Sequence, residues 1–215
     1  MAAKKKRSAA EFLPKRRTLE NLRAAARSCE RCDLYKNATQ TVFGEGAKNA
    51  SIMLVGEQPG DMEDRHGRPF VGPAGRLLDK ALADARIPRE QVYFTNAVKH
   101  FKWIQRGKRR LHQKPLIRQV EACKPWLQAE FETIQAKVVV CLGATAAQSI
   151  LGKPVRITQE RGRFFDGDHG EAVFVTIHPS SIFRRREKAE RDAEYRHFVS
   201  EMKLVKRKLH RLAAA

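Results

Sequence analysis

Along this chain, short apolar runs ending in glycine or a small polar residue alternate with stretches whose apolar residues return every three to four positions. SIMLVG at 51–56, VYFTNAV at 92–98, KVVVCLG at 137–143 and AVFVTIHPSS at 172–181 read as buried strands, the last running into a turn. Gly72-Pro73 opens a helix through AGRLLDKALADARI, with Leu77, Leu78, Ala81 and Leu82 on one face. Further helices are predicted from Thr18 through LENLRAAARSC, from Pro115 to Ile134, over ATAAQSIL, and over the charged stretch from Ile182 to Leu212. Lys99 to Lys114 shows no such period and reads as a basic, polar loop. Strands alternating with helices predict the α/β class, as a single-domain three-layer α/β/α sandwich around a central, mainly parallel four-stranded sheet. Ligands in such sheets bind beyond the carboxyl ends of the strands, which here carry GEQPGD, NAVKH, CLGATA and HPSS.

The 215 residues suit one domain with its own core. Residues 1–16, basic and without periodicity, are expected to form a flexible tail, and residues 17–212 the folded unit. No apolar run approaches the ~20 residues of a membrane-spanning helix. The basic N-terminus also lacks the apolar stretch of a signal peptide, so a cytoplasmic monomer is expected. Charge changes the picture most. Lys and Arg number 43 against 24 Asp and Glu, a net charge of +19. That excess favours a polyanionic partner, nucleic acid ahead of an anionic membrane surface, through counterion release and steering.

Cys29 and Cys32 form a C-x2-C pair, and Cys123 and Cys141 follow far downstream. Two thiolates at that spacing can share a metal centre, and an all-cysteine set suits zinc or an iron–sulfur cluster without choosing between them. A cytosolic chain argues against disulfides. Cys141, inside apolar VVVCLG, also reads as a plain core residue.

Taken together, the motifs resemble a known group. GEQPG, GRPFVGPAG, TNAVK, CLGATA and HPSS follow the order found in the iron–sulfur branch of the uracil-DNA glycosylase superfamily, over nearly the whole chain from Cys29 to the final helix. Gln58 within GEQPG and the inserted segment GKRRLH at 107–112 resemble the UdgX-type, covalent-trapping subgroup in particular. The resemblance implies a uracil-DNA glycosylase-like fold acting on uracil-containing DNA, single-stranded above all. It further implies a structural [4Fe-4S] cluster held by Cys29, Cys32, Cys123 and Cys141.

Roles for individual residues follow from the same resemblance. Phe70, read alone as readily a core plug, would stack the extruded base. Asn96 would read the uracil edge, since an amide both donates and accepts, and Gln58 would belong to the same base pocket. His178 would stabilise charge on the leaving base, and Glu57 would stand beside the sugar. His112 would attack the sugar, with Arg110, Lys99 and Ser180 positioning the loop and the DNA. A histidine with an unperturbed pKa near ~6.5 is largely neutral at pH 7 and can act as a nucleophile. The stretch KHFKWIQRGKRRLHQK interleaves basic and aromatic residues, as gripping phosphates and unstacked bases requires. Two other readings stay open: a turnover glycosylase in which water attacks, and a non-catalytic, metal-stapled DNA-binding protein.

Overall fold

The computed structural model describes residues 9–214. Its described strands are β1 (Glu45–Gly46), β2 (Ile52–Gly56), β3 (Val92–Asn96), β4 (Trp103–Arg106), β5 (Arg109–His112), β6 (Val138–Leu142), β7 (Arg163–Asp166) and β8 (Ala172–Thr176). The helices are α1 (Leu19–Ala26), α2 (Asp61–His66), α3 (Pro73–Asp84), α4 (Ile117–Ile134), α5 (Ala144–Leu151), α6 (Ile157–Glu160) and α7 (Lys188–Ala214). Six strands form one sheet in the order β1-β3-β2-β6-β8-β7.

The four strands predicted from apolar runs are the parallel centre of this sheet, and every residue in them is buried. That is the demand of a parallel sheet covered on both faces. Alternate side chains serve opposite layers. Ile52, Leu54, Phe94, Val140 and Phe174 pack under α3 and α7. Met53, Val55, Tyr93, Val139 and Val173 pack against α1, α4 and α5. The sandwich is therefore three-layered, as expected.

Four expectations need correction. The sheet has six strands rather than four, because β1 and β7 add antiparallel edges. β1 spans two residues and β7 buries none of its four fully, so neither leaves an apolar run. Residues 99–114 are not loop throughout: β4 and β5 pair as an antiparallel hairpin, Trp103 opposite His112 and Arg106 opposite Arg109, turning at Gly107. Its residues are exposed or half-buried, so no alternation announces it. The tail expected over 1–16 is already packed at Ala9–Phe12, a short 3-10 helix whose Ala9 is buried with Leu22 and Trp126. Residues 1–8 lie outside the described residues. The last helix begins at Lys188, after a 3-10 helix at Pro179–Arg184 and extended backbone at Arg185. Among the described residues no helix is long and apolar enough to cross a membrane.

Candidate active site and cysteine centre

The carboxyl ends of the four central strands open into one pocket. Glu57 and Gln58 follow β2, Asn96 ends β3, Gly143 follows β6 and His178 follows β8, with Phe70 entering from the turn before α3. Phe70 sits at φ +55°, a left-handed conformation few side-chain-bearing residues adopt. The turn fits because Gly75 is bare: a Cβ there would stand 1.7 Å from the Phe70 carbonyl oxygen. Gly56 is similarly constrained, since its Cβ would come within 2.3 Å of Asn96 Oδ1 and 2.9 Å of Phe70 Cζ. Backbone held in a sparse region is characteristic of binding sites, where surrounding packing over-determines it. The Phe70 ring packs on Phe94 and faces His178, with the latter planes 24° apart and centroids 6.3 Å apart.

His178 is held as a neutral donor. Loss of hydration, reinforced by nearby His112 and Arg184, pulls its pKa down to about 4. The Ser180 backbone N–H donates to Nδ1 at 3.2 Å, and Ser180 Oγ lies 2.8 Å from the same atom. With Nδ1 accepting, the single proton of the neutral ring is on Nε2. Ser180, expected at the DNA, instead orients His178.

The rim of the pocket is built differently. His112 ends β5, half-exposed, with Nε2 3.5 Å from Glu57 Oε1. Thr145, at the start of α5, donates to the other carboxylate oxygen, Glu57 Oε2, at 2.5 Å. Thr145 went unremarked in the sequence, although a hydroxyl just past a strand end in CLGATA is a usable signal. Burial lowers the His112 pKa below its ordinary value; Glu57 opposes this and Arg184 adds to it.

The hairpin is pinned by Arg110. Its Nε reaches Asp61 Oδ1 at 2.5 Å, and its Nη1 reaches Asp64 Oδ2 at 2.7 Å and Thr39 Oγ1 at 3.1 Å. The guanidinium also lies over the Phe101 and Trp103 rings. Gln58 braces the hairpin base: its Nε2 donates to Lys102 O and Gln113 O, and its Oε1 accepts from Lys102 N–H. The Gln58 side chain, expected to face the base, is thus committed to the hairpin. Lys99, expected at the DNA, is buried with Nζ 2.5 Å from Glu130 Oε2.

Three of the four cysteines converge. Cys29, Cys32 and Cys123 line one tight pocket together with Arg31, His100 and Trp126. Cys141 is elsewhere, inside β6 among Met53, Val55 and Ala146, because its strand position turns it into the sheet's own core. His100, rather than Cys141, lines the pocket with the other three cysteines. Among the described residues no three His, Cys, Asp or Glu side chains are drawn closely enough to grip a single metal ion. The donor chemistry nevertheless fits a cluster. Trp126 Nε1–H points at Cys29 Sγ and Lys99 N–H at Cys123 Sγ, each at 3.3 Å. Among the described side chains Arg31 Nε is the buried polar atom without a partner, and Arg31 lines this cavity. Burial holds His100 neutral, with a pKa near 4. Its Nε2 lies 2.9 Å from Thr41 Oγ1, which itself donates to Ala26 O, so Nε2 carries the proton and Nδ1 keeps a free lone pair.

Fold and pocket define an α/β enzyme whose site combines an aromatic face, an amide and a carboxylate–histidine pair at the carboxyl edge of a parallel sheet. Residues 43–203 match the family described as Uracil DNA glycosylase superfamily, and the chain belongs to that superfamily. It is 40% identical to the type-4 uracil-DNA glycosylase of Thermotoga maritima over 169 residues, 78% of this chain and 84% of that one. The type-4 uracil-DNA glycosylase of Archaeoglobus fulgidus is 36% identical over 185 residues, 81% of this chain and 89% of the relative. That of Sulfurisphaera tokodaii is 35% identical over 172 residues, 76% and 75%.

Proposed function

We propose that this chain excises uracil from DNA and then retains the abasic sugar as a covalent adduct on His112. Excision is supported by superfamily membership and by the type-4 glycosylases it resembles. The observation that carries the adduct is the 3.5 Å separation of His112 Nε2 from Glu57 Oε1 at the pocket mouth.

The uracil nucleotide leaves the base stack, most easily from single-stranded DNA, and the base enters the pocket. Phe70 offers a ring face, and the Asn96 amide donates to O4 and accepts from N3–H, a pattern cytosine does not match. As the C1′–N1 bond breaks, its electron pair leaves with uracil, and the Nε2–H of neutral His178 donates to the anion at O2. The sugar becomes cationic beside Glu57. His112 Nε2 then bonds to C1′ while its proton passes to Glu57 and from there to the departing base, so atoms and charge balance. A tethered imidazole outcompetes water through effective molarity, worth roughly 7–11 kcal/mol at best. Cys29, Cys32, Cys123 and His100 would hold a [4Fe-4S] cluster, which when bound supplies a structural cross-link among the segments carrying them. Cys141 takes no part.

The test is direct. The protein is incubated with a uracil-containing single-stranded oligonucleotide, boiled in detergent and run on a gel. The expected result is a one-to-one complex whose mass is protein plus DNA minus uracil, with the DNA remnant mapping to His112. His112→Gly should release uracil and leave an abasic site without capture. Release by the unmodified protein without an adduct would favour water as nucleophile, and no release at all would leave only a DNA-binding protein.

A further inference from the structure

We infer that Lys99 is a positioning residue whose buried ammonium fixes the main chain of Asn96 and ties the base-reading strand end to the cysteine centre. The inference rests on the proposed role of Asn96 in reading uracil.

Lys99 and Glu130 are fully buried, with side-chain exposures of 1% and 0%. Buried ion pairs add little stability over apolar packing of the same shape, so the pair calls for another reason. Its geometry supplies one. Lys99 Nζ uses all three donors: to Glu130 Oε2 at 2.5 Å, to Thr95 Oγ1 at 2.6 Å, and to the backbone carbonyl of Asn96 at 2.8 Å. That carbonyl sits where β3 leaves the sheet. On its far side the Ala97 and Val98 N–H groups donate to Gly56 O and Glu57 O, at 2.8 and 3.0 Å. Both faces of the turn after Asn96 are therefore fixed, and the side chain beneath Gly56 keeps one orientation.

The other end of Lys99 is equally committed. Its backbone N–H donates to Cys123 Sγ at 3.3 Å, and its carbonyl accepts from Val42 N–H at 2.8 Å. The next residue, His100, lines the cysteine cavity. One residue is thus shared by the base pocket and the cysteine centre. Glu130 holds it in place while also accepting from Gly44 N–H, Tyr93 Oη and Thr95 Oγ1.

The experiment uses Lys99→Met combined with Glu130→Gln, which removes the ammonium without stranding a buried charge. It is made in the His112→Gly background, where release of uracil can be followed over many turnovers. The readouts are the inhibition constant of free uracil, kcat/KM for uracil release, affinity for an undamaged oligonucleotide, and iron content with melting temperature. The inhibition constant should rise and kcat/KM fall by about tenfold, the worth of one misaligned hydrogen bond to the base edge. Undamaged-DNA affinity and iron content of the folded protein should match the parent. Glu130→Gln alone, which keeps the Lys99 contact to Asn96 O, should retain most of the uracil affinity. Unchanged uracil inhibition in the double variant, or a double variant unable to fold, would assign the pair to stability alone and overturn the inference. If the His112→Gly parent itself releases no uracil, the fault lies with the proposed function instead.

Discussion

The floor and the rim of the pocket are held by opposite means. On the floor, Asn96 and His178 stand at or just beyond the ends of strands buried along their whole length, and Phe70 is locked by the bare Gly75. On the rim, His112 belongs to a two-stranded hairpin with little core of its own, fixed through the Arg110 ion pairs and the Gln58 amide. On the proposed mechanism, packing would set which base is accepted, and polar tethers what happens to the sugar afterwards. The two halves of the chemistry can accordingly be altered separately.

The sharpest way to break this contrast is to cut the tether. Arg110→Met, paired with Asp64→Asn to avoid leaving a buried carboxylate unpaired at a cost of about 3–5 kcal/mol, should free the hairpin. Capture should slow about hundredfold, the scale expected for an ångström of misplacement. Uracil release should persist, turning a trap into a turnover enzyme; gel capture and base release measured side by side decide it. Capture at the parental rate would show that the rim does not depend on Arg110.

A change of pH should separate the regions more gently. The proposed attack by His112 requires the neutral ring, whose pKa lies below the ordinary 6.5, so capture should hold at pH 7 and fall as acid takes the pH through that value. The fall should approach about tenfold per pH unit. His178 stays neutral down to about pH 4, so His112→Gly should go on releasing uracil where capture has faded. Parallel profiles for the two activities would contradict these assignments.

The smallest effect belongs to a cysteine behind the floor. Cys141→Val should leave iron content and visible absorption unchanged, because its thiol faces the sheet core. His100→Ala should lose iron. The reverse result would restore Cys141 as a ligand.

Legibility in the sequence followed the same division. The four central strands announce themselves because both their faces are buried and apolar runs are the direct consequence. Strand ends are where such a sheet keeps its ligands, which points to the segments carrying Asn96 and His178, while the roles given to them and to Phe70 rest on the family resemblance. The hairpin was missed because its pairing rests on backbone hydrogen bonds and charged side chains, which leave no periodic trace. Lys99 was read as a DNA contact because its partner, Glu130, is remote in sequence and nothing local signals the pairing. Counting cysteines favours Cys141, whereas the histidine that lines the pocket in its stead stands in NAVKH, four residues past the end of β3.

Gly75 touches no part of the proposed reaction, yet any side chain there would collide with the Phe70 carbonyl and evict the aromatic from the pocket. In a mutational scan scored by activity, this position would rank with the residues that handle substrate. A site can thus be guarded by an atom that is missing, and the tolerance of neighbouring positions to inheritance is set as firmly by that gap as by any functional group.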